Sequence, residues 1–413
     1  MNSSSLRADA GQILNAALQA VLPDSAVQSV LAGRSFGHGR LVLVSIGKAG
    51  WQMARAACDV LGNRLTGGIV ITKYGHSKGA LPGMRIFEAG HPVPDANSIA
   101  ATREALRVTA DLSAEDTVLF LVSGGGSALF AAPLVPLDTL KELTKQLLAA
   151  GADITQINAV RKHLSAVKGG RFALHCAPAH VLTLALSDVL GDDPAVIASG
   201  PAYPDSSTSE GALAVVRRYG LPLDSEISRL LAQETPKTLH NVETVVAGSV
   251  RHLCAAAADA CRGLGYAPHL LTDSLCCTAR DAGSFLSSIA KTHQNTDHSV
   301  AYIAGGETVV RLTGSGLGGR NQELALAAAQ QLDGLADTAL FSVGSDGTDG
   351  PTDAAGGYVD GQTAQRLRDQ GMDIQAVLQC NDSYHALQAS GGLIVTGPTG
   401  TNVNDVAVLL IKR

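Results

Sequence analysis

The 413-residue sequence has few aromatic residues, no excess of basic charge and no long apolar run. Aromatic side chains make up 4% of the chain, and the formal net charge at pH 7 is −6. Domains that bind nucleic acid usually carry a basic surface, so nucleic acid is not an expected partner. No apolar run approaches the roughly 20 residues that span a bilayer, so no membrane association is expected.

The seven cysteines form no CxxC pair and show no zinc-site spacing. They are expected to be small buried hydrophobic residues in a reducing cytoplasm. The first residues do not resemble a signal peptide, because the charged residues Arg7 and Asp9 stand where a signal peptide would have an uninterrupted apolar segment. The sequence therefore predicts a cytoplasmic protein.

The first half of the chain alternates short apolar runs with segments of helical period. The apolar runs are 41–46, 67–72, 84–90, 117–122 and 180–189. Such alternation predicts parallel βαβ units with helices on both faces of the sheet. The expected fold of this half is Rossmann-like.

A polar segment at 232–241 is the best candidate for a linker, so we expect domains at 1–235 and 236–413. Seven further strand candidates follow it: 242–248, 267–272, 299–305, 307–313, 338–345, 392–397 and 405–411. Two of them are so close in sequence that they require a hairpin. The second domain is therefore expected to be α/β with a mixed sheet.

Two segments at strand ends contain glycine without matching a standard phosphate or nucleophile motif. "SIGKAG" (45–50) lacks the spacing of a Walker A loop, and "SGGGSAL" (123–129) is not a G-x-S-x-G elbow. Lys48 is either a surface lysine or a phosphate contact at the start of a helix. Consecutive backbone N–H groups are predicted to bind an anion in the second segment, unless its glycines serve only tight packing. They belong to Ser123, Gly124, Gly125, Gly126 and Ser127.

Charged residues follow in the same half. Arg161 and Lys168 are seven residues apart and are expected on one helix face, as a solvated basic face or as an anion site. Asp188 ends an apolar strand candidate, where a carboxylate suits a Mg²⁺ ligand or a general base.

The second half contains Gly314-x-Gly316-x-x-Gly319, which formally matches the dinucleotide-binding fingerprint. The acid at the end of the next strand, Asp346, comes later than the roughly 20 residues expected. Arg320 at the predicted helix start is better suited to gripping a carboxylate or phosphate. Both interpretations remain open from these residues alone.

Acidic and amide residues occupy two glycine-rich loops near the C-terminus. Asp346, Asp349 and Asp353 share one loop, without EF-hand spacing, and predict a divalent cation or a proton transfer. Thr399 and Asn402 lie in the other loop and could donate to phosphates or hold the loop together. Basic residues, glycine loops and carboxylates without a nucleophile–base pair are the components of phosphoryl transfer.

Several of these segments resemble the class II glycerate kinases, whose C-terminal domain is a MOFRL domain. The matching segments are 90–98, 121–130, 157–173, 186–201, 305–326, 345–357 and 397–405, in the family's order. The resemblance implies two α/β domains and a site in the cleft between them. It also implies phosphorylation of D-glycerate to 2-phosphoglycerate with ATP and Mg²⁺, and it allows a homodimer.

The resemblance also implies that Lys48, Asp188, Arg320 and Asp346 line the cleft, and these are the expected catalytic residues. The substrate-binding residues that we expect are Arg161, Lys168, Glu307 and Asn321, and the metal ligands that we expect are Asp188, Asp346 and Asp349. Members of the family are often named hydroxypyruvate reductases, so an NAD(P)H-dependent reductase is the alternative enzyme. A binding module without catalytic activity is the third class considered.

Overall fold

The computed structural model describes residues 3–413 and divides into two compact units. The N-terminal unit comprises Pro23–Ser187 and Asp192–Ala247, and the C-terminal unit comprises the chain up to Leu22, Asp188–Gly191 and Gly248–Arg413. Residues 1 and 2, with which the expected first domain begins, lie outside the described residues. The expected boundary between residues 235 and 236 falls within the N-terminal unit, and as a domain boundary it stays a prediction.

Residues 3–413 form twelve strands, most of which coincide with apolar runs of the sequence. In chain order they are β1 (Leu41–Ile46), β2 (Gly67–Lys73), β3 (Met84–Ala89), β4 (Thr117–Val122), β5 (His180–Leu186), β6 (Val242–Gly248), β7 (Ala267–Leu275), β8 (Val300–Gly306), β9 (Thr338–Gly344), β10 (Gly356–Asp360), β11 (Leu393–Ile394) and β12 (Asp405–Ile411).

Sixteen α-helices connect or flank these strands within the same described range. They are α1 (Ser3–Ala20), α2 (Pro23–Leu31), α3 (Gly50–Leu61), α4 (Ala96–Val108), α5 (Gly126–Leu129), α6 (Leu137–Ala149), α7 (Ile154–His163), α8 (Arg171–Cys176), α9 (Ser209–Arg218), α10 (Ser225–Leu231), α11 (Val250–Gly263), α12 (Ala279–Thr292), α13 (Arg320–Leu332), α14 (Thr363–Asp369), α15 (Ile374–Gln379) and α16 (Ser383–Ser390). None of the helices in the described part of the chain is both long and apolar enough to cross a membrane.

The sheet of the N-terminal unit has the order β3–β2–β1–β4–β5–β6, and the strands from β3 to β5 pair in parallel. Side chains alternate between its faces along β4. Leu119 and Leu121 join the apolar cluster that includes Met53 of α3. Phe120, between them, contacts Phe172 of α8. Helices therefore cover both faces, and the predicted Rossmann-like sheet is confirmed.

The sheet of the C-terminal unit has the order β11–β10–β9–β12–β8–β7. β7 and β8 are parallel, whereas β12 is antiparallel to both β8 and β9, so the sheet is mixed as predicted. Leu409 of β12 packs in one cluster with residues of α12 and α13. Its neighbours Val408 and Leu410 pack in a second cluster with residues of α1 and α11. The first helix of the chain thus belongs to the C-terminal unit.

Two strand predictions in the second half need correction, and one strand there was not predicted. Segment 307–313 is not a strand, so the hairpin predicted from it does not form. Segment 242–248 is a strand but lies beside β5 in the first sheet, because chain order does not determine which strands are neighbours. β10 was not predicted at all, since Gly356 and Gly357 interrupt its apolar pattern.

Candidate active site

Lys48 lies in the turn between β1 and α3, at the carboxyl end of the parallel sheet. Its backbone N–H donates to the carbonyl of Gly124 at 2.9 Å. Its own carbonyl accepts from Thr72 Oγ1 at 3.3 Å and from His76 Nδ1 at 3.0 Å. The backbone of Lys48 is thus fixed by the glycine loop and by the end of β2. The structure brings Lys48 and the predicted anion-binding segment together.

Residues 123–127, the glycine loop, follow β4 and are exposed only in part. Gly124, Gly125 and Ser127 are half-buried, whereas Ser123 is buried. The Ser123 hydroxyl donates to the carbonyl of Ile46 at 3.2 Å and accepts from the N–H of Ala49 at 3.1 Å. Its hydroxyl therefore joins the loop to the Lys48 turn.

Close packing explains part of the glycine content of this loop. Gly125 has φ +85°, and a β-carbon there would lie 2.8 Å from Cδ2 of His91. A β-carbon on Gly126 would lie 2.8 Å from the β-carbon of Ala198. Side chains at these positions would displace their neighbours, so both glycines have a packing role besides any ligand contact.

Three aromatic side chains pack against one another next to the glycine loop. Phe120 precedes the loop, Phe130 follows it, and Phe172 packs against both, with ring centroids 4.8 to 5.8 Å apart. All three are fully buried. Such packing fixes both ends of the loop, as a preformed binding site requires.

His91 is a candidate that was not among the predicted site residues. It adjoins Gly125, and its pKa is lowered below the ordinary value by burial and then by Lys48, Lys73 and His76. Neither Lys48 nor Lys73 forms an ion pair with any residue in 3–413. Lys48, after β1, and Lys73, the last residue of β2, thus lie near His91 without a carboxylate among residues 3–413 to neutralise them. Segment 90–98, noted for its family resemblance, already contained His91.

Arg161 and Lys168 do not lie on one helix face as predicted, because α7 ends at His163. Lys168 is nevertheless buried, and its ammonium donates to the carbonyls of Ser127 at 2.7 Å and Phe130 at 3.4 Å. Burial, followed by repulsion from Arg161 and Lys162, places the pKa of Lys168 well below its ordinary value.

The three cations of this region differ in their partners. Lys162 forms a buried ion pair with Asp205 at 2.9 Å. Lys168 contacts only carbonyl oxygens, and Arg161 makes no hydrogen bond or ion pair with any described residue. Burial lowers the pKa of Arg161 as well. An anionic ligand would therefore meet two uncompensated cations here.

Asp188 lies two residues beyond the end of β5, in the stretch Asp188–Gly191 that belongs to the C-terminal unit. It is half-buried. Asp193 further along accepts from the N–H of Ala195 at 2.9 Å and thereby caps a turn. A role for Asp188 as base or metal ligand stays a prediction.

Arg320 is the first residue of α13 and is held by two carboxylates. Its Nε and Nη2 donate to the two oxygens of Asp405 at 2.5 and 2.9 Å, and its Nη1 donates to Glu307 at 2.9 Å. Burial raises the pKa of Asp405 to about 6, although Arg320 opposes that rise. Asp405 was not predicted as a site residue, although it ends the resemblance segment 397–405.

Asp349 and Asn321 are both occupied at the start of α13. One oxygen of Asp349 accepts from the N–H of Asn321 at 3.1 Å, and the other accepts from the N–H of Gln322 at 2.9 Å. The Asn321 side chain is buried and bonds to Asp349 and to Ser342. The structure gives both residues a role in capping the helix. Metal binding by Asp349 and substrate binding by Asn321 stay predictions.

Asp346 and Thr399 lie together in the C-terminal unit. The Thr399 N–H donates to the carbonyl of Asp346 at 3.1 Å, and its hydroxyl donates to the carbonyl of Ser345 at 2.6 Å. Asn402, in the same loop as Thr399, accepts from the N–H of Asn404 at 3.4 Å. Asp346 is half-buried and uses one oxygen to accept from the N–H of Thr348 at 3.0 Å.

The glycines of the formal dinucleotide motif pack against their own chain. A β-carbon on Gly314 would lie 2.5 Å from Cα of Cys380, and one on Gly316 would lie 2.5 Å from Cβ of Asp382. Gly319 faces Asp349, whose carboxylate already occupies the N-terminus of α13. A dinucleotide pyrophosphate would need that helix terminus, so the motif does not support an NAD(P) site.

The carboxylates of the C-terminal unit allow a Mg²⁺ site that is completed by other ligands. No group of three or more His, Cys, Asp or Glu side chains within residues 3–413 is arranged to hold a metal. Mg²⁺ commonly takes only one or two carboxylates and completes its shell with water and phosphate oxygens. Asp346 fits such a role, since one of its oxygens makes no hydrogen bond with a described residue.

Two protein-family models match the chain. The domain of unknown function DUF4147 matches residues 9–232, and the MOFRL family matches residues 300–405. The first match covers most of the N-terminal unit, and the second includes Arg320, Asp346 and Asp405.

The chain is similar to named proteins over its full length. It is 52% identical to a D-glycerate 2-kinase from Thermotoga maritima, over 98% of this chain and 99% of that protein. A solved glycerate kinase structure from T. maritima superposes with a TM-score of 0.96 at 51% identity, over 99% of this chain and 100% of that one. A protein from Agrobacterium vitis with a provisional hydroxypyruvate reductase name is 40% identical, over 99% of this chain and 95% of its own.

Proposed function

Because this chain belongs to the glycerate kinase family that combines DUF4147 with a MOFRL domain, we propose that it transfers the γ-phosphoryl group of ATP to the C2 hydroxyl of D-glycerate with Mg²⁺. One observation carries the proposal beyond family membership. The carboxyl end of the parallel sheet brings Lys48, Lys73 and His91 together beside the glycine loop, and neither lysine has a carboxylate partner in the described part of the chain. Such a surface suits a polyphosphate.

ATP phosphates are assigned to the exposed part of the glycine loop. The half-buried residues Gly124, Gly125 and Ser127 face the ligand, with Lys48 beside the transferring group. The carboxylate of glycerate is assigned to Arg161, whose guanidinium has no partner among residues 3–413 and can bind it with two N–H groups. Lys168 donates to the carbonyl of Ser127 and so holds the glycine loop beside that anion.

Arg320 is assigned to the transferring phosphoryl group. Its contacts with Asp405 and Glu307 use three of its five N–H groups, so one remains on each terminal nitrogen. Asp405 fixes the plane of the guanidinium, and fixed donors stabilise developing charge without reorganisation. Arg320 and the cations of the N-terminal unit each supply part of the positive charge that the reaction needs.

Proton transfer is assigned to Asp188 or Asp346. Asp405 and Asp349 are unsuited to it, because both oxygens of each already accept hydrogen bonds. The base takes the proton of the C2 hydroxyl while the hydroxyl oxygen bonds to the γ-phosphorus. The bond between the γ-phosphorus and the β–γ bridging oxygen breaks at the same time, and ADP leaves. Mg²⁺ would be held by Asp346, Asp188 or both, and when bound it neutralises phosphate charge.

The experiment combines purified protein with D-glycerate, Mg²⁺ and ATP, and in parallel with hydroxypyruvate and NADH. We expect glycerate-dependent ADP formation and a product that phosphorus NMR identifies as 2-phosphoglycerate. A 3-phosphoglycerate product would overturn the regiochemistry, and loss of NADH without ADP formation would favour the reductase. Omitting Mg²⁺ should abolish turnover, since bare ATP would keep its full negative charge.

A further inference from the structure

Residues 198–200 form a left-handed turn beside the glycine loop. Ala198, Ser199 and Gly200 have φ values of 51°, 64° and 61°. A left-handed conformation is costly for residues with a β-carbon, and two such residues in succession are rare. Strained backbone of this kind concentrates at functional sites, where the surrounding structure holds it in place.

The turn is held by two neighbouring glycines. The N–H of Gly169 donates to the carbonyl of Ser199 at 3.1 Å, and the N–H of Gly170 donates to the carbonyl of Gly200 at 2.7 Å. Both bonds lie directly after Lys168, which holds the carbonyl of Ser127. The strained turn and the glycine loop are therefore tied to one segment of chain.

The turn also contacts the glycine loop directly. The hydroxyls of Ser199 and Ser127 are 2.9 Å apart, and Ser199 Oγ lies 3.4 Å from the side-chain oxygen of Asn158. Ser199 can donate its one proton to Ser127 Oγ, which leaves the Ser127 proton to be donated to a ligand. The β-carbon of Ala198 fills the space that a side chain on Gly126 would need. Ser199 is fully buried, whereas Ser127 is half-buried. A ligand can thus reach Ser127 but not Ser199.

We propose that Ser199 is a positioning residue for the glycine loop, orienting the Ser127 hydroxyl toward the bound nucleotide. The inference rests on the proposed function, which assigns ATP phosphates to that loop. Because Ser199 acts only through Ser127, its removal should matter only while the Ser127 hydroxyl is present. A turn that serves packing alone would instead affect folding, whatever residue stands at position 127.

The test is a double-substitution cycle read out by ATP binding, which needs no turnover. Ser199→Ala and Ser127→Ala are made singly and together, and calorimetry gives Kd for ATP. We expect each single variant to weaken binding about tenfold, which is the loss of one hydrogen bond. The double variant should bind no worse than Ser127→Ala alone. Additive losses, or no loss in Ser199→Ala, would overturn the proposal.

A second variant removes the risk that Ser199→Ala fails to fold. Ser199→Gly deletes the hydroxyl and also relieves the strain at φ 64°, so its melting temperature should equal or exceed that of the wild type. We expect the same tenfold weaker ATP binding, whereas a packing role predicts binding at the wild-type level. Ser287→Ala, which removes a buried hydroxyl from α12, is the matched control and should bind ATP normally.

The failure of this inference is distinguishable from the failure of the proposed function. A wild-type protein that binds ATP but does not phosphorylate glycerate would contradict the proposed reaction. The ATP dissociation constants of the double-substitution cycle could still be compared. A wild-type protein that binds no ATP would overturn both. Normal glycerate phosphorylation with additive losses in the cycle would overturn the positioning role alone.

Discussion

Cations occur in both units of the protein, but they are neutralised to different degrees. Lys48 and Lys168 of the N-terminal unit have no carboxylate partner, and Arg161 has no polar partner at all among the described residues. Arg320 of the C-terminal unit is bound by Asp405 and Glu307. A buried cation without a counter-charge is costly for a folded protein, whereas a paired one is much less so.

The difference indicates two kinds of binding surface. The uncompensated cations of the N-terminal unit gain a counter-charge only when an anion binds. Their surface therefore favours the binding of polyphosphate and carboxylate groups. Arg320 is held in one orientation before any ligand arrives, so its free N–H groups can stabilise charge that appears during the reaction. Removing a cation should therefore affect activity and stability differently in the two units.

Arg320→Ala should have the largest effect, because it removes a donor to the transferring group and leaves Asp405 without its partner. We expect kcat/KM to fall about 10³-fold. The free energy of unfolding should fall by about 2 kcal/mol at pH 7, since a buried carboxylate loses its counter-charge. Steady-state kinetics and urea unfolding measure the two effects. Arg262→Ala, at an exposed ion pair, is the control and should change neither.

Lys48→Ala should lower kcat/KM by about 10²-fold while leaving the unfolding free energy unchanged within about 0.5 kcal/mol. The reason is that Lys48 makes no ion pair with a described residue, so none is lost that could destabilise the fold. Lys291→Ala, on the exposed side of α12, is the matched control. A Lys48 variant that is as destabilised as Arg320→Ala would remove the distinction between the two units.

The elements that sequence predicts well are those built from continuous apolar runs. β1, β4, β5 and β12 each bury both faces, and such strands have the same signature in any α/β fold. The pattern fails where polar residues or glycine interrupt it. Segment 307–313 mixes polar and apolar residues and is irregular and mostly exposed, and β10 begins with two glycines. The sheet to which β6 belongs depends on crossover connections that no local pattern records.

Site residues divide in the same way. Lys48, the glycine loop and Arg320 lie at the ends of regular elements, where sequence alone marks them. Asp405 was missed because it opens an apolar strand and its importance comes from Arg320, 85 positions earlier. Ser199 was missed because its conformation, rather than its residue type, makes it unusual. Asp349, in contrast, was marked by its acidic loop, but its oxygens are engaged in capping α13.

The pH dependence of stability tests how far the charges of Asp405 and Arg320 in the C-terminal unit compensate each other. The pKa of Asp405 is raised from its ordinary 3.8 to about 6. The folded protein therefore holds this proton more tightly than the unfolded chain, and the associated stability is present below pH 4 and lost as pH rises through 6. Relative to Asp405→Asn, the wild type should lose about 2 kcal/mol between pH 4 and pH 7. Urea unfolding across that range measures the difference.

A parallel pH profile for Asp405→Asn and the wild type would contradict a raised pKa. It would imply that Arg320 compensates the buried carboxylate completely, so that the ion pair costs nothing at neutral pH. The comparison between the units would then become sharper, because only the N-terminal unit would carry an unbalanced charge.

Gly125→Ala is expected to have the smallest effect and acts on the loop rather than on a charge. An added β-carbon would lie 2.8 Å from the His91 ring at a φ of +85°, so the loop must shift. We expect ATP to bind about tenfold more weakly, and glycerate nearly as well as before, because Arg161 lies outside the loop. Gly263→Ala, where nothing lies within 4 Å, is the control. Equal losses for both ligands would mean that the loop serves packing alone and that the uncompensated cations bind ATP without it.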